Sequence, residues 1–378
     1  MDFTKAQAFC LDHWEETLGL LKQLASIPAP SGQEGKRAAF ILDWLKQQGK
    51  NDAYIDQMQN VVIPFDRPGE KDTVVIMAHT DIVFPDEGPI PVREEAGRLM
   101  APGIGDDTAN LVLMLMSVKY LLTYPHQARV KVLFVANSCE EGLGNLKGCR
   151  EIMRVHGENV REFISYDGTL NKCTTAAVGS HRYRIRIRAE GGHSYGAFGN
   201  ANAIHQMAQL VVALYQQKVP EGAKTTYNAG EIRGGTTVNT IAEEAHILYE
   251  YRSEDRDNLQ AMEDSLQSIL DQYRQKDWQI ETEVLGKRPC NGDLDPEKHQ
   301  ALIQRTLEDV SAHYHGNTQQ QASSTDANIP LSLGIPAVTF GLILGGRAHT
   351  YEEWIEIDSL RIGCPLAIRT ALHYFDEI

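Results

Sequence analysis

The stretch Thr73-Val74-Val75-Ile76-Met77-Ala78-His79 decides the fold class, because it is an apolar run that ends in a histidine. Such a run predicts a strand buried on both faces, as in a largely parallel sheet that is covered by helices. A second run at 130–136 and a shorter one at 163–167 have the same character, and helical segments lie between them. Strands that alternate with helices predict α/β architecture.

Length and charge limit the possible classes of protein. The chain has 378 residues, which is too long for one ordinary core and predicts two domains. The formal net charge of -15 argues against nucleic acid or an anionic membrane surface as a partner. The longest apolar segment, 111–122, contains Ser117 and Lys119 and is too short to span a bilayer. Residues 1–5 lack the features of a signal peptide, so we expect a cytoplasmic protein.

Six cysteines are spread along the chain, at positions 10, 139, 149, 173, 290 and 364. Their spacing fits neither a disulfide framework nor a paired-cysteine zinc site, and it suits a reducing cytoplasm. We therefore expect all six to be small buried residues without a disulfide partner.

The sequence pattern changes after Ser180, where residues 182–189 alternate between polar and apolar. That alternation predicts a half-exposed strand. The following segments predict a helix at 201–217, strands at 225–232 and 245–252, a helix at 257–275 and a strand at 279–285. This is the split βαβ order of a ferredoxin-like α+β domain. We assign that domain to 181–286, inserted into a first domain formed by 1–180 and 287–378.

The first domain has further predicted elements on both sides of the insertion. Helices are expected at 4–26, 35–48, 147–156, 296–314 and 358–375, and a strand at 336–340. Residues 319–326 are polar and predict a loop. Together these elements predict a helix-covered mixed sheet.

Residues that can bind metal follow the predicted strands. His79 ends the first strand with Asp81 two residues later, Glu140 and Glu141 follow the second, and Asp167 ends the third. Open α/β sheets bind ligands at the carboxyl ends of their strands. Residues i and i+2 of an extended chain share a face, so the Asp81 carboxylate can accept the second N–H of the His79 imidazole.

Two loops add to this set. Asp106 and Asp107 end the glycine-rich stretch that precedes the helix at 111–122, and His349 lies in the glycine-containing loop 345–349. Each fragment also has an ordinary interpretation, such as an N-cap for the aspartates, a core histidine for His79 or a solvated pair for 140–141. Five such positions at strand or loop ends favour one shared site.

The loop 142–148, with the sequence GLGNLKG, superficially resembles a dinucleotide-binding loop. Its third glycine is one residue late, and Glu140 and Glu141 at its mouth would repel a pyrophosphate. A nucleotide site is therefore not expected here.

These motifs resemble those of the co-catalytic zinc exopeptidases, a family that includes peptidase T, carboxypeptidase G, aminoacylase and succinyl-diaminopimelate desuccinylase. His79-Thr80-Asp81 resembles the first family motif, Gly105-Asp106-Asp107 the second and Glu140-Glu141 the third. The resemblance covers essentially the whole chain and is strongest to peptidase T, a tripeptide aminopeptidase. The peptide bond after the first aspartate of the second motif is commonly cis in this family.

The resemblance implies two zinc ions, or Co or Mn in their place, with three protein ligands each. One ion would bind His79, Asp106 and Asp167, and the other would bind Asp106, Glu141 and His349. Asp106 would bridge the two metals, and the alternative that Asp107 bridges while Asp106 caps the helix stays open.

The resemblance also assigns catalytic and substrate-binding residues. Glu140 would be the general base for a metal-bound water, and Asp81 would orient His79. In the inserted lid domain, His193 would stabilise the oxyanion, often from the partner subunit. Asn239 would bind substrate and Arg252 would grip a substrate carboxylate.

Some positions have an ordinary interpretation or depart from the family pattern. The alternative for Arg252 is a surface ion pair with Glu254 or Asp255, and the loop 324–328, which resembles one bordering the family site, can also be a simple turn. Relatives commonly have Lys and Gly soon after the bridging aspartate, where this chain has Thr108 and Ala109. Asp167 replaces the Glu of carboxypeptidase-like members and points towards the aminopeptidase or dipeptidase branch.

The sequence therefore predicts a dizinc metallopeptidase of small peptides, of the tripeptide aminopeptidase type, that forms a homodimer through the lid domain. An amidohydrolase that deacylates N-acyl amino acids at the same site is the alternative. A catalytically silent binding protein on this scaffold is a remote alternative.

Overall fold

A computed structural model describes residues 4–85 and 87–378, which group into two compact units. The first unit comprises the chain up to Ala177 and from Gly292 onwards, and the second comprises Val178–Asn291. The predicted insertion, 181–286, lies inside the second unit. None of the helices in the described ranges is long and apolar enough to cross a membrane.

The main sheet of the first unit contains eight strands in the described part of the chain. In order across the sheet they are Tyr54–Ile55, Val61–Phe65, Lys131–Asn137, Thr73–His79, Val160–Tyr166, Ala337–Phe340, Lys172–Ala177 and Gln319–Ser323. The third to the sixth of these strands run parallel to one another. The second and the seventh run antiparallel to their inner neighbours, so the prediction of a mixed sheet is confirmed.

The strand Thr73–His79 lies in the middle of this sheet, and all seven of its residues are buried. It pairs with a parallel strand on each side, with His79 opposite Asn137 and Met77 opposite Ser165. This register brings the carboxyl ends of the three strands to the same edge of the sheet.

Helices pack around the main sheet of the first unit. Those in its described residues are Thr4–Asp12, Trp14–Ala25, Gly35–Gln47, Ala109–Thr123, Lys147–His156, Pro296–His313, Asn328–Ser332 and Leu360–Leu372. Nearly every residue of Ala109–Thr123 is buried. Its one lysine, Lys119, extends its ammonium group to 2.6 Å from the Glu16 carboxylate, which explains how a charge is accommodated in this helix.

Short elements complete the first unit. The strands Arg93–Glu95, Arg98–Met100, Gly345–Gly346 and Trp354–Glu356 form a small sheet, and His126–Ala128 pairs with Phe375–Glu377. Short helical turns lie at Ile104–Thr108, Gly142–Gly144, Gly157–Asn159 and Ile357–Ser359.

Three predicted elements differ from the observed ones. The helix expected at 4–26 is interrupted at His13. The polar loop expected at 319–326 contains the strand Gln319–Ser323, which was missed because this edge strand carries polar side chains. The closing helix ends at Leu372, before the strand Phe375–Glu377.

The second unit has the predicted order strand, helix, strand, strand, helix, strand. Its four-stranded antiparallel sheet, in residues that are all described, has the order Thr225–Gly234, Glu244–Ser253, Gly179–Arg188 and Gln279–Arg288. The helices Ala203–Gln216 and Arg256–Arg274 share one core with alternate residues of the strands. Gly192–His193 and Thr240–Ile241 form a separate two-stranded ribbon.

The expectation that no cysteine has a disulfide partner is wrong for Cys10 and Cys364, which form a disulfide with their Cα atoms 6.2 Å apart. The first lies in the helix Thr4–Asp12, which packs on the helix Leu360–Leu372 that carries the second. A separation of 354 residues gives no sequence signal of such a pair. The other four cysteines are buried and not disulfide-bonded.

Substitution of two helical glycines by alanine would test how tightly the first unit is packed. A Cβ at Gly363 would lie 2.0 Å from the Leu342 carbonyl oxygen, whereas one at Gly19 would meet nothing within 4 Å. We expect Gly363→Ala to lower the free energy of unfolding by about 1–3 kcal/mol because of overpacking. As the matched control, Gly19→Ala should raise it by about 0.5–1 kcal/mol, because alanine favours a helix. Urea unfolding measures both, and equal effects would contradict the packing described here.

Candidate metal centre

The loop around Asp106 brings one carboxylate between two histidines. The peptide bond between Asp106 and Asp107 is cis, as the resemblance led us to expect, and Asp106 has φ -118° and ψ 84°, outside the helical range. Its Oδ1 lies 3.1 Å from Nε2 of His79, and its Oδ2 lies 3.0 Å from Nε2 of His349. Burial opposes ionisation of Asp106, but the two imidazoles outweigh it and lower the pKa of this carboxyl group.

Asp107 has a different environment from Asp106. Its buried carboxylate accepts the backbone N–H of His79 at 3.0 Å and the side-chain amide of Asn110 at 2.6 Å. Burial raises the pKa of Asp107 well above its usual value. The N-cap interpretation of these aspartates is wrong, because their carboxylates contact His79, His349 and the Asn110 side chain instead of backbone N–H groups in the first turn of the helix Ala109–Thr123.

The Asp81 carboxylate fixes the backbone that carries Glu140 and Glu141. It accepts the backbone N–H of Glu140 at 3.0 Å and that of Glu141 at 2.9 Å, and the hydroxyl of Ser31 at 2.5 Å. Nδ1 of His79 lies 3.0 Å from the backbone oxygen of Asp81 and 3.4 Å from its carboxylate. The carboxylate predicted to orient His79 is therefore the more distant acceptor, because its oxygens are engaged by the 140–141 backbone.

His349 lies in a left-handed backbone conformation, with φ 63°, and contacts two acids. Its Nε2 is 3.0 Å from Glu141 Oε1 as well as 3.0 Å from Asp106 Oδ2. Hydrogen bonds to Asp106 and Glu141 raise the pKa of His349 to about 11. Burial raises the pKa of Glu141 to about 7, although His349 opposes this shift.

The site as a whole has more carboxylates than imidazoles. Among the described residues, ligand atoms within 4.8 Å of one another occur in three groups. They are His79 with Glu140 and Glu141, His79 with Asp107 and Asp167, and Asp106 with Glu141 and His349. Burial and then the charge of Asp106 raise the pKa of Asp167 well above its usual value. Buried acids crowded in this way are stabilised by a bound cation, and oxygen with imidazole nitrogen is a donor set that suits zinc and related ions.

Two residues that were not predicted to belong to the site, Asn110 and Glu353, hydrogen-bond to the loops that carry it. The carboxamide of Asn110 donates to Asp107 and, at 3.1 Å, to the Gly168 carbonyl, and it accepts the backbone N–H of Leu342 at 2.7 Å. Glu353 contacts the loop that carries Asp106. The sequence carries no signal of this role, because Glu352 lies next to Glu353 and has the same side chain.

Asp326 lies in the loop that resembles one bordering the family site. It is buried and accepts a hydrogen bond from the Asn137 side chain at 2.6 Å. Burial, and then the charge of Glu140, raises the pKa of Asp326 to about 8. The loop therefore has a buried contact with the end of a sheet strand and is more than a surface turn.

Three predicted residues lie in the second unit. Nδ1 of His193 accepts the backbone N–H groups of Tyr195 and Gly196, both at 3.2 Å, so the neutral imidazole carries its proton on Nε2. The Asn239 side chain accepts a hydrogen bond from the Thr237 hydroxyl at 2.9 Å.

Arg252, the third of these residues, forms a two-pronged ion pair with Glu250 at 3.0 and 3.1 Å. The alternative partners Glu254 and Asp255 were therefore wrong. Glu250 lies two residues earlier on the same strand, so both side chains share a face.

A family model matches residues 75–373 of this chain, and it is that of Peptidase family M20/M25/M40. The chain belongs to this family. It is therefore a hydrolase, and the predicted zinc exopeptidase resemblance is confirmed at the level of the family.

Individual relatives agree with this assignment. The chain is 25% identical to succinyl-diaminopimelate desuccinylase of Corynebacterium glutamicum over 360 residues, covering 93% of this chain and 94% of that one. It superposes on a tripeptidase from Staphylococcus aureus with a TM-score of 0.73 at 20% identity, covering 94% and 96% of the two chains. A dinuclear metal-binding peptidase of the M20 family from Bacillus subtilis superposes with a TM-score of 0.61 at 15% identity, covering 95% and 98%. These two structures share the fold.

Proposed function

We propose that this M20-family protein is a dizinc aminopeptidase that removes a residue from small peptides, most like a tripeptide aminopeptidase. The observation that carries the proposal is the position of the Asp106 carboxylate, which contacts His79 with one oxygen and His349 with the other. A carboxylate in this position can bridge two metal ions. Co or Mn can replace zinc at oxygen and imidazole ligands, so the ion is part of what must be tested.

We assign three ligands to each metal. His79, Asp106 and Asp167 would hold one ion, and Asp106, Glu141 and His349 would hold the other. The second set coincides with one of the groups of close ligand atoms, whereas the group that contains His79 and Asp167 has Asp107 in place of Asp106. We assign the bridge to Asp106 and not to Asp107, because the Asp107 oxygens accept hydrogen bonds from the His79 backbone and from Asn110. When bound, the metals would supply Lewis acidity that polarises the substrate carbonyl and acidifies water.

We assign the role of general base to Glu140. Its backbone is held by Asp81, and its carboxylate is buried beside the ligand group of His79 and Glu141. It would take a proton from the attacking water and pass it to the leaving amine. Asp81 would act as a positioning residue, because it fixes the backbone of Glu140 and contacts His79.

The lid residues keep the roles that the resemblance implies. The Nε2–H of His193 is the kind of donor that an oxyanion needs, since its Nδ1 already accepts two hydrogen bonds. Asn239 would bind the substrate backbone. A substrate carboxylate at Arg252 would have to replace Glu250 as the partner of the guanidinium group.

A deacylase of N-acyl amino acids is the second candidate. It is favoured by the desuccinylase relative, which matches nearly the whole chain. Both candidates use the same metals and the same base, so they differ in the substrate pocket alone.

The first experiment titrates the apo-protein with Zn²⁺ and measures hydrolysis of di- and tripeptides and of N-acetyl amino acids. We expect activity to saturate at two equivalents of zinc and to require a free amino terminus. Two bound ions with cleavage of acylated amino acids alone would select the deacylase instead. Failure to bind zinc would overturn the ligand assignment.

The variant Glu140→Gln tests the base. We expect kcat to fall at least about 100-fold, because proton transfer is lost, while two zinc ions still bind. Glu141→Gln is the matched control on the next residue, and it should weaken zinc binding instead. Isothermal titration calorimetry and steady-state kinetics separate the two effects. Full turnover by Glu140→Gln would refute the mechanism.

We further propose that the second unit forms a homodimer through one exposed apolar face. The helix Ala203–Gln216 exposes Ile204, Val212 and Tyr215, and the strand Thr225–Gly234 at the edge of the sheet exposes Ile232. An edge strand beside exposed apolar side chains is suited to pairing with a second copy.

The substitution Ile232→Lys should therefore shift the protein from dimer to monomer, because it places a charge on the proposed interface. Val284→Lys is the matched control, since Val284 is equally exposed on Gln279–Arg288 at the opposite edge of the same sheet. Light scattering of wild type and both variants reports the mass. A monomeric wild type with full activity would exclude the dimer.

We propose a cytoplasmic location. The four buried cysteines without a disulfide support it, whereas the Cys10–Cys364 disulfide argues against it because disulfides are rare in reducing compartments. Counting free thiols in protein taken directly from cells would decide between the two observations.

A further inference from the structure

The carboxylate of Glu353 is almost completely buried, and it accepts three hydrogen bonds from one loop. Oε1 accepts the backbone N–H groups of Gly105 at 2.7 Å and of Asp106 at 2.8 Å, and Oε2 accepts that of Gly103 at 3.1 Å. Three backbone donors within four residues converge on one carboxylate and fix the path of the backbone. The segment fixed in this way is 103–106, and it ends at Asp106.

The backbone of Glu353 also connects the turn after His349 to Ala101, which lies just before Gly103. The backbone oxygen of Glu353 accepts the N–H of Ala101 at 3.1 Å. Between His349 and Glu353 the chain is a compact turn, in which the N–H of Thr350 donates to the Arg347 carbonyl and that of Glu353 donates to the Thr350 carbonyl. A short, hydrogen-bonded segment therefore connects His349 to Glu353, and Glu353 contacts the loop that carries Asp106.

The surroundings of Glu353 leave little room for another arrangement. A Cβ at Gly105 would lie 3.3 Å from Glu353 Oε1 and 3.1 Å from a methyl carbon of Ile355. Gly103 has φ 69°, a conformation that favours glycine. The loop therefore packs directly against the Glu353 carboxylate with backbone atoms.

We propose that Glu353 is a positioning residue that sets the distance between Asp106 and His349 and thereby forms the second metal subsite, that of Asp106, Glu141 and His349. This inference rests on the proposed function, because it concerns the metals assigned there. Glu353 does not bind the metal in this proposal. It acts through the backbone of Asp106 on one side and the turn after His349 on the other.

The test compares zinc binding by apo-proteins that carry Glu353→Gln, Glu353→Leu or Glu352→Gln. Glutamine keeps one acceptor oxygen for Gly105 and Asp106 but presents an N–H group to Gly103, whereas leucine accepts nothing. We expect the affinity for the second equivalent of Zn²⁺ to fall about 10-fold in Glu353→Gln and about 100-fold in Glu353→Leu. The first equivalent should change less. Glu352→Gln is the matched control and should behave as wild type, because Glu352 is exposed and pairs with Arg93.

Calorimetric titration with Zn²⁺ gives the two affinities, and the visible spectrum of the Co²⁺-substituted protein reports the geometry of the second site. A merely structural role would lower thermal stability but leave both zinc affinities and the cobalt spectrum of the folded protein unchanged, and that result overturns the inference. If Glu353→Leu does not fold, the comparison of Glu353→Gln with Glu352→Gln carries the test. Wild type that binds no zinc would refute the proposed function and this inference with it, whereas two-site wild type with unaffected variants refutes this inference alone.

Discussion

Carboxylates are buried and crowded at the edge of the main sheet in this protein, and the cost of ionising them there is the constraint that shapes the rest of the site. Burial raises the pKa of Asp107 and Asp167 well above their usual values and that of Glu141 to about 7, so these groups resist carrying their charges together. Two imidazoles compensate only part of this charge. The cluster is therefore suited to bound cations, whose charge would allow the acids to ionise together.

A site of this kind needs a rigid backbone, because like charges would otherwise separate the loops that carry them. Buried polar side chains supply that rigidity through hydrogen bonds to the backbone. Asp81 holds the segment with Glu140 and Glu141, Asn110 connects the loop of Asp107 to those at Gly168 and Leu342, and Glu353 holds the loop of Asp106. Each fixes main-chain groups through hydrogen bonds, and Asp81 also contacts the His79 side chain, so the position of a ligand follows largely from the path of its loop.

The sheet of the second unit is buried on one face only, unlike the main sheet of the first unit. The sheet of the second unit alternates buried and half-exposed residues, and one layer of helices covers one face. Polar groups on this sheet satisfy one another at the surface, as Arg252 does with Glu250. Such pairs contribute little to stability, which leaves their side chains able to exchange partners.

Hydrophobic periodicity in the sequence determined the architecture and much of the site. Apolar runs that end in His79 or precede Glu140 and Glu141 predict strands of a buried parallel sheet, and parallel strands necessarily bring those ends together. The structure accordingly brings together His79, Asp106, Glu141 and His349, as the motifs led us to expect.

The tertiary structure decided features that depend on contacts between distant residues. The sequence does not distinguish Glu352 from Glu353, yet the first is exposed and the second is 1% exposed and surrounded by N–H donors. It did not indicate the pairing of Cys10 with Cys364 or the polar edge strand Gln319–Ser323 either. The physical reason is that periodicity reports which face of an element is buried, whereas the partner of a buried polar group is set by how separate loops pack.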